Sequence, residues 1–223
     1  MSPGTRIGLL GGSFNPAHGG HRRISLFAAG ALGLDEVWWL VSPGNPLKPA
    51  AGMAPLVARM GSAVRQARRA PIRVTAIERE LGTRFTADTL AALTRRYPRH
   101  RFIWLMGSDN LAQFHRWRDW RRIARTMPIA AIARPGYDRA AIAGPAMAWL
   151  GRHRVRPERL RQGRWSAPAL IVLRFDPDKR SATAMRLADP DWADAYAGRA
   201  TRDQLTGRTV KAGNPNGQCG LAQ

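Results

Sequence analysis

The chain is short of cysteine, lysine and acidic residues. One cysteine, Cys219, stands in 223 residues, which excludes an internal disulfide framework and a cysteine-based zinc cluster. Three lysines (Lys48, Lys179, Lys211) leave 33 of the 36 basic residues as arginine, against 15 Asp+Glu, for a formal net charge of +21. No apolar run approaches the ~18 residues that a membrane-spanning helix needs. The N-terminal run Ile7-Gly8-Leu9-Leu10 passes straight into Gly11-Gly12, too short for a signal peptide. These absences predict a soluble, reduced, cytoplasmic protein with no membrane partner.

What is present suffices for a core. Hydrophobic residues make up 44% and charged residues 23%, which excludes disorder of the whole chain. The sequence pI near 11.8 is an electrostatic footprint of nucleic-acid binding. The dominance of arginine, beside abundant Ala, Gly and Pro, fits GC-rich coding equally well, so that reading stays open as the alternative to an enzyme. Eight arginines against the single acid Glu158 in Arg139–Arg174 form the densest basic stretch, which reads first as a solvated face.

Short apolar runs alternate with longer helix-like stretches, the pattern of a parallel α/β sheet in a single Rossmann-like, doubly wound domain over 1–187. Strands are expected at Arg6–Gly12, Glu36–Ser42, Ile72–Ile77, Arg101–Met106, Ile129–Ala133 and Leu170–Phe175. Helices are expected at Gly19–Leu32 and Leu56–Arg69, the latter presenting Leu56, Met60, Ala63, Val64 and Ala67 on one face. A further helix opens at Thr86, a plausible N-cap, with Leu90 and Leu93 inward, and stops at Pro98. Ala140–His153 is interrupted at Gly144-Pro145, and Ser181–Leu187 starts a short helix. Residues 188–223 read as a C-terminal segment, with a helix over Asp189–Arg199 and a frayed tail from Ala212.

The strongest local feature is Gly11-Gly12-Ser13-Phe14-Asn15-Pro16-Ala17-His18-Gly19-Gly20-His21, directly after the first strand. Glycines at a strand-to-helix turn let the backbone approach a ligand closely. The helix start beyond supplies unpaired N–H groups and a positive dipole end, both suited to phosphate. His18 and His21, at i and i+3, share a face and can hydrogen-bond phosphate oxygens. The stretch is neither a GxGxxG fingerprint nor a Walker loop. A metal site is disfavoured, because no cysteine and no carboxylate stand at ligand spacing.

Gly11–His21 resembles the signature of the nucleotidylyltransferase superfamily, whose His-x-Gly-His core is matched by His18-Gly19-Gly20-His21. Within it the chain is most similar to bacterial nicotinate-nucleotide adenylyltransferases. That choice is supported in order by Ser42–Pro49, Phe85–Leu90, Gly107–Trp120, Arg134–Tyr137 and the Ser-x-Thr-x-x-Arg motif Ser181–Arg186. The resemblance implies transfer of AMP from ATP to nicotinate mononucleotide, with Mg²⁺ carried by the ATP phosphates. It implies His18 and His21 as catalytic contacts to the triphosphate. Gly11, Gly12, Ser13 and Phe14 would line the same cradle, Gly107 and Asp109 would meet the ATP ribose, and Ser181, Thr183 and Arg186 the β- and γ-phosphates. On the acceptor side it implies backbone N–H groups at Phe85 and Thr86 for the nicotinate carboxylate, Trp117 for stacking on the pyridine, and Lys48 and Arg134 for phosphate or adenine. Phe114, Trp117 and Trp120 stand at helical spacing, so all three could equally be core; Trp120 is taken as core. Two departures from the family pattern stand out: Ala182 where a second serine is common, and Asn15 where many members have aspartate. A sister enzyme using nicotinamide mononucleotide or pantetheine phosphate is the nearest alternative, nucleic acid is the disfavoured one, and a homo-oligomer is left open.

Overall fold

A computed structural model describes residues 4–44, 52–133, 143–175 and 181–211. Strand β1 (Arg6–Gly12) leads through helix α1 (Gly19–Leu32) to β2 (Glu36–Val41), and α2 (Leu56–Ala67) leads to β3 (Ile72–Thr75). Helices α3 (Ile77–Leu81) and α4 (Thr86–Arg96) return the chain to β4 (Arg101–Gly107). Then come α5 (Ser108–Gln113), α6 (Trp120–Thr126), β5 (Ile129–Ile132), helical turns at Pro145–Leu150 and Glu158–Arg161, and β6 (Leu170–Leu173). All neighbours pair in parallel, in the order β3-β2-β1-β4-β5-β6. The order reverses between β1 and β4, and at such a switch point the loops leaving the two strands part and open a crevice at their carboxyl ends.

Strand periodicity explains the two layers. In β2, Trp38 and Leu40 face one core, while Val37, Trp39 and Val41 face the other. In β4, Phe102, Trp104 and Met106 face the first and Ile103 and Leu105 the second. A sheet apolar on both faces must be covered on both. Helices α1 and α2 cover one side, and α4, α5 and α6 the other. Trp39 is fully buried and satisfies its indole N–H on Ser25 Oγ at 2.8 Å.

Arg6–Gly12 and Gly19–Leu32 form as the sequence pattern predicts, and Leu90 and Leu93 are buried. Elsewhere local chemistry overrides the pattern. The expected strand to Ile77 ends at Thr75, because the Ala76 N–H leaves the ladder and donates to Asp203 Oδ2 at 2.7 Å; Ile77 then opens α3. Thr86 is not the cap of α4 but its first residue. Phe85 takes the extended cap position, with no side-chain cap bond. Asp189–Arg199 holds only a single turn, Asp194–Tyr196, since Pro190 disfavours helical backbone at Asp189 and Gly198 turns at φ 69°.

Beyond that turn, strands β7 (Thr201–Arg202) and β8 (Thr209–Val210) form a hairpin with no signal in the sequence pattern. Its corner residue Asp203, 3% exposed, accepts from Thr75 Oγ1, Ala76 N, Leu205 N and Thr206 N. Gln204 exchanges bonds with Val74 through its own N–H and its Oε1, docking the hairpin on the edge strand β3.

Candidate active site

The turn after β1 sits on one side of the switch point, and its geometry follows from its residues. Gly11 is needed for close approach, because a Cβ there would stand 2.5 Å from the Trp104 ring. Phe14 is buried at φ 47°, a backbone region that costs a bulky L-residue roughly 1–3 kcal/mol. It is held there by packing: its ring stacks on Trp39 at 5.0 Å and meets His21 at 4.9 Å.

His18 is the N-cap of α1. Its Nδ1 accepts from the Gly20 N–H at 3.1 Å, and its own N–H donates to His21 Nδ1 at 3.2 Å. Two orphan N–H groups of the helix start are thereby satisfied reciprocally, a capping box built from two imidazoles. Accepting on Nδ1 fixes the tautomer, so that each neutral ring carries its proton on Nε2. The rings lie 3.9 Å apart, with His18 buried.

The second strand of the switch point delivers Gly107 as the N-cap of α5 and Asp109 in its first turn. The third motif arrives from far along the chain. Ser181 caps the helix Ala182–Ala188 through its Oγ, and Arg186 donates from Nη1 to the Asn15 carbonyl and from Nη2 to Thr183 Oγ1 at 3.3 Å. Ser181, Thr183 and Arg186 are therefore joined to the Gly-rich turn across 171 positions of sequence.

Between the Gly-rich turn, the start of α4 and the α5 segment lies a cleft of about 400 Å³. Gly11, Gly12 and Ser13 form one wall, Ser42 and Gly44 adjoin it, and Glu78, Arg84, Phe85 and Thr86 close the far side. Trp104, Asn110, Gln113, Arg116, Trp117 and Arg118 complete the lining. The structure thus brings Gly11, Gly12, Ser13, Phe85, Thr86 and Trp117 to one cavity, whereas Phe14, His18, His21, Gly107, Asp109, Ser181, Thr183 and Arg186 are not among the residues that line it. Lys48 and Arg134 lie outside the described residues.

Two features of the lining have chemical weight. The start of α4 has no side-chain cap bond from Phe85, and a helix start left open in this way is suited to a carboxylate. Trp117 is half-buried, packed edge-on against Phe114 at 5.4 Å and Trp104 at 6.3 Å. Phe114, Trp117 and Trp120 do not share one helix after all. Helix α5 ends at Gln113, Trp117 is extended, and Asp119 at φ 52° restarts the chain into α6. That break turns Trp117 to the cleft, while Phe114 is fully buried and Trp120 packs on the rim of the core against Phe114 and Trp149.

Three arginines (Arg84, Arg116, Arg118) make the cleft positive, and Arg118 lies 4.5 Å over the Phe85 ring. The one acid in the lining is Glu78, whose carboxyl burial pushes up to about 7 despite a hydrogen bond with Ser42. Trp104 places a buried indole N–H with no acceptor among the described residues beside the cleft. Among the described residues no group of three or more His, Cys, Asp or Glu is placed to hold a metal ion, and no helix is long and apolar enough to cross a membrane.

Sequence reasoning missed Glu78, Trp104 and a buried arginine beneath the Gly-rich turn, Arg59. A signal for Arg59 was available: it lies three residues after Leu56 and four before Ala63, on the apolar stripe of α2, where a solvated arginine would not belong. It is 1% exposed, and burial lowers its guanidinium to about 10, still cationic at neutral pH.

Comparisons with known proteins identify the family. Residues 9–187 match the cytidylyltransferase-like family model. A protein of Erythrobacter litoralis, named as a probable nicotinate-nucleotide adenylyltransferase, is 69% identical over 94% of this chain and 96% of its own length. One of the same name from Ruegeria pomeroyi is 49% identical over 91% and 96%. Among solved structures, the Plasmodium falciparum nicotinic acid mononucleotide adenylyltransferase complexed with NaAD superposes with a TM-score of 0.61 at 15% identity, covering 82% of this chain and 83% of that one, a likeness of fold. The chain belongs to the cytidylyltransferase-like family and, within it, to the nicotinate-nucleotide adenylyltransferases.

Proposed function

We propose that this chain transfers the adenylyl group of ATP to the phosphate of nicotinate mononucleotide, releasing pyrophosphate and forming deamido-NAD, in NAD biosynthesis. One observation carries the assignment at the level of this chain's residues. The Gly-rich stretch Gly11–Ser13, which leads into the helix start capped by His18 and His21, and the helix start at Phe85–Thr86 line a single positive cleft at the switch point of the sheet.

The chemistry asks for little beyond placement. An oxygen of the acceptor phosphate attacks the α-phosphorus, the bond to the bridging oxygen of the β-phosphate breaks, and pyrophosphate leaves with that electron pair. The nucleophile is already anionic, so no general base and no covalent intermediate are required. Catalysis rests on aligning two anions and stabilising charge on the α-phosphate and the departing pyrophosphate. His18 and His21, with Nε2–H fixed by their Nδ1 bonds, are the donors assigned to that charge. Gly11, Gly12, Ser13 and Phe14 form the cradle, Gly107 and Asp109 take the ATP ribose, and Ser181, Thr183 and Arg186 the outer phosphates. Magnesium enters as part of the substrate, on phosphate oxygens, where it offsets charge.

On the acceptor side, the N–H groups at Phe85 and Thr86 receive the nicotinate carboxylate and Trp117 stacks on the pyridine. Lys48 and Arg134 are assigned to phosphate or adenine. A carboxylate suits an uncapped helix start flanked by Arg84, Arg116 and Arg118 better than a carboxamide does. That preference sets nicotinate above nicotinamide mononucleotide. The reaction's nucleotide substrates support a cytoplasmic location. The direct test is product analysis: incubation with MgATP and nicotinate mononucleotide should yield deamido-NAD by mass, and its absence from active, folded protein would refute the assignment.

A further inference from the structure

We infer that Arg59 is a positioning residue for the transfer: its buried guanidinium clamps the Gly-rich turn to the loop leaving β2 and so sets the two adjoining walls of the cleft. This rests on the adenylyl transfer proposed above. The guanidinium makes four hydrogen bonds, all to carbonyl oxygens. Nη1 donates to Ser13 at 2.8 Å and Ser42 at 2.6 Å, Nη2 to Pro43 at 3.1 Å, and Nε to Ala54 at 2.9 Å. One rigid planar fork thus spans three segments that are otherwise separate in sequence, a geometry a point-charge ammonium cannot reproduce.

The clamp has a consequence for the backbone. In a trans peptide the C=O and the following N–H point in opposite directions. Holding the Ser13 carbonyl toward Arg59 turns the Phe14 N–H away from it, and holding the Pro43 carbonyl does the same for the Gly44 N–H. The first of these peptides leads into the strained φ 47° of Phe14, a conformation that persists only where its surroundings over-determine it. Trp39 and His21 hold the ring, and Arg59 holds the preceding carbonyl. Asn15 braces the same turn, donating from Nδ2 to Gly52 O at 2.8 Å and accepting from Ala54 N at 3.1 Å.

Stability alone does not explain the choice of residue. A buried cation with no carboxylate partner among the described residues is a costly way to join loops, and apolar packing of similar volume is often as stable or more so. What an arginine adds is a fixed positive charge directly beneath the turn assigned to the triphosphate, together with defined directions for its peptides.

The test compares Arg59→Lys and Arg59→Met with the parent in steady-state adenylyl transfer, with folding checked by circular dichroism. Arg59→Lys keeps charge without the fork, and Arg59→Met keeps neither. For folded Arg59→Lys, kcat should fall roughly 10- to 100-fold with KM for either substrate changed less than about threefold. Arg59→Met should lose at least a further several-fold. A purely structural arginine would lower the melting temperature and leave kcat per folded molecule intact. Folded Arg59→Lys with kcat within twofold of the parent overturns the inference. If neither variant folds, amide exchange of the unaltered protein decides. The Ser42 and Ala54 amides, which donate to Gly12 O at 3.0 Å and Asn15 Oδ1 at 3.1 Å, should exchange through one shared opening with the same urea dependence. Unrelated opening energies overturn the clamp. The exchange experiment needs no turnover, so an inactive parent would refute the proposed reaction and leave the clamp to be judged on its own.

Discussion

Replacing Asp203 by alanine should loosen the C-terminal hairpin from the sheet, and the structure sets the size of the effect. The carboxylate divides its work: Oδ2 accepts from Thr75 Oγ1 at 2.9 Å and Ala76 N at 2.7 Å, while Oδ1 accepts from Leu205 N at 2.9 Å and Thr206 N at 3.0 Å. The first pair is buried; the second lies in the partly exposed corner of the hairpin. Leaving a buried donor without a partner costs about 1–3 kcal/mol, so the two on Thr75 and Ala76 imply a loss of about 2–6 kcal/mol. Water reaching Thr75 as the hairpin lifts trims that toward about 3 kcal/mol, or roughly 6–12 °C in Tm for a chain of this length. Asp203→Asn keeps one acceptor oxygen and can serve one pair but not both, so it should lose about half as much. Thermal unfolding followed by circular dichroism measures both variants. A Tm for Asp203→Ala within about 1 °C of the parent, or equal losses for Ala and Asn, would refute the reasoning.

At the site, His18→Asn retains a capping acceptor for the helix start while removing the imidazole. Its kcat should fall roughly 10²-fold or more with the fold intact, and near-normal turnover would remove His18 from the chemistry. Trp117→Ala should act mainly by raising the acceptor KM, read from initial rates at saturating MgATP; an unchanged KM would mean that the ring only packs. Glu78 predicts a pH effect of defined sign. Its carboxyl is raised from 4.5 to about 7, so the folded chain keeps a proton that the unfolded chain releases. The associated stability is fully present below about pH 4.5 and is lost as pH rises to about 7 and beyond. Subtracting the Tm of Glu78→Gln from that of the parent at each pH isolates this slope, which should be downward across that window; a flat difference would show the carboxyl to be ordinary.

Legibility followed the range of the forces involved. Arg6–Gly12 and Gly19–Leu32 were readable because a buried parallel strand and a glycine-rich turn both leave strong marks within a dozen residues. The likeness of Gly11–His21 to a known signature was equally local, and the family it implied is the one to which the chain belongs. What could not be read came from long-range bonds. Strand β3 stops at Thr75 because of an aspartate 127 positions beyond Ala76. The hairpin at Thr201–Val210 is specified by that docking rather than by any periodicity of its own. The mutual spacing of Phe114, Trp117 and Trp120 suggested one helix, but α5 ends at Gln113, Trp117 is extended and Asp119 is left-handed, which separates the cleft residue from its neighbours. Arg59 could have been noticed on the apolar stripe of α2, but the carbonyls it gathers could not. The charge of +21 is the feature the site explains least: Arg84, Arg116 and Arg118 line the cleft, and most of the other arginines among the described residues are partly or fully exposed.

The most direct test of the proposed reaction is pyrophosphate release from MgATP with each acceptor in turn: nicotinate mononucleotide, nicotinamide mononucleotide and pantetheine phosphate. Nicotinate mononucleotide should give the highest kcat/KM, with nicotinamide mononucleotide poorer by at least tenfold for want of the carboxylate, and pantetheine phosphate giving none. Turnover with another acceptor and none with nicotinate mononucleotide would contradict it.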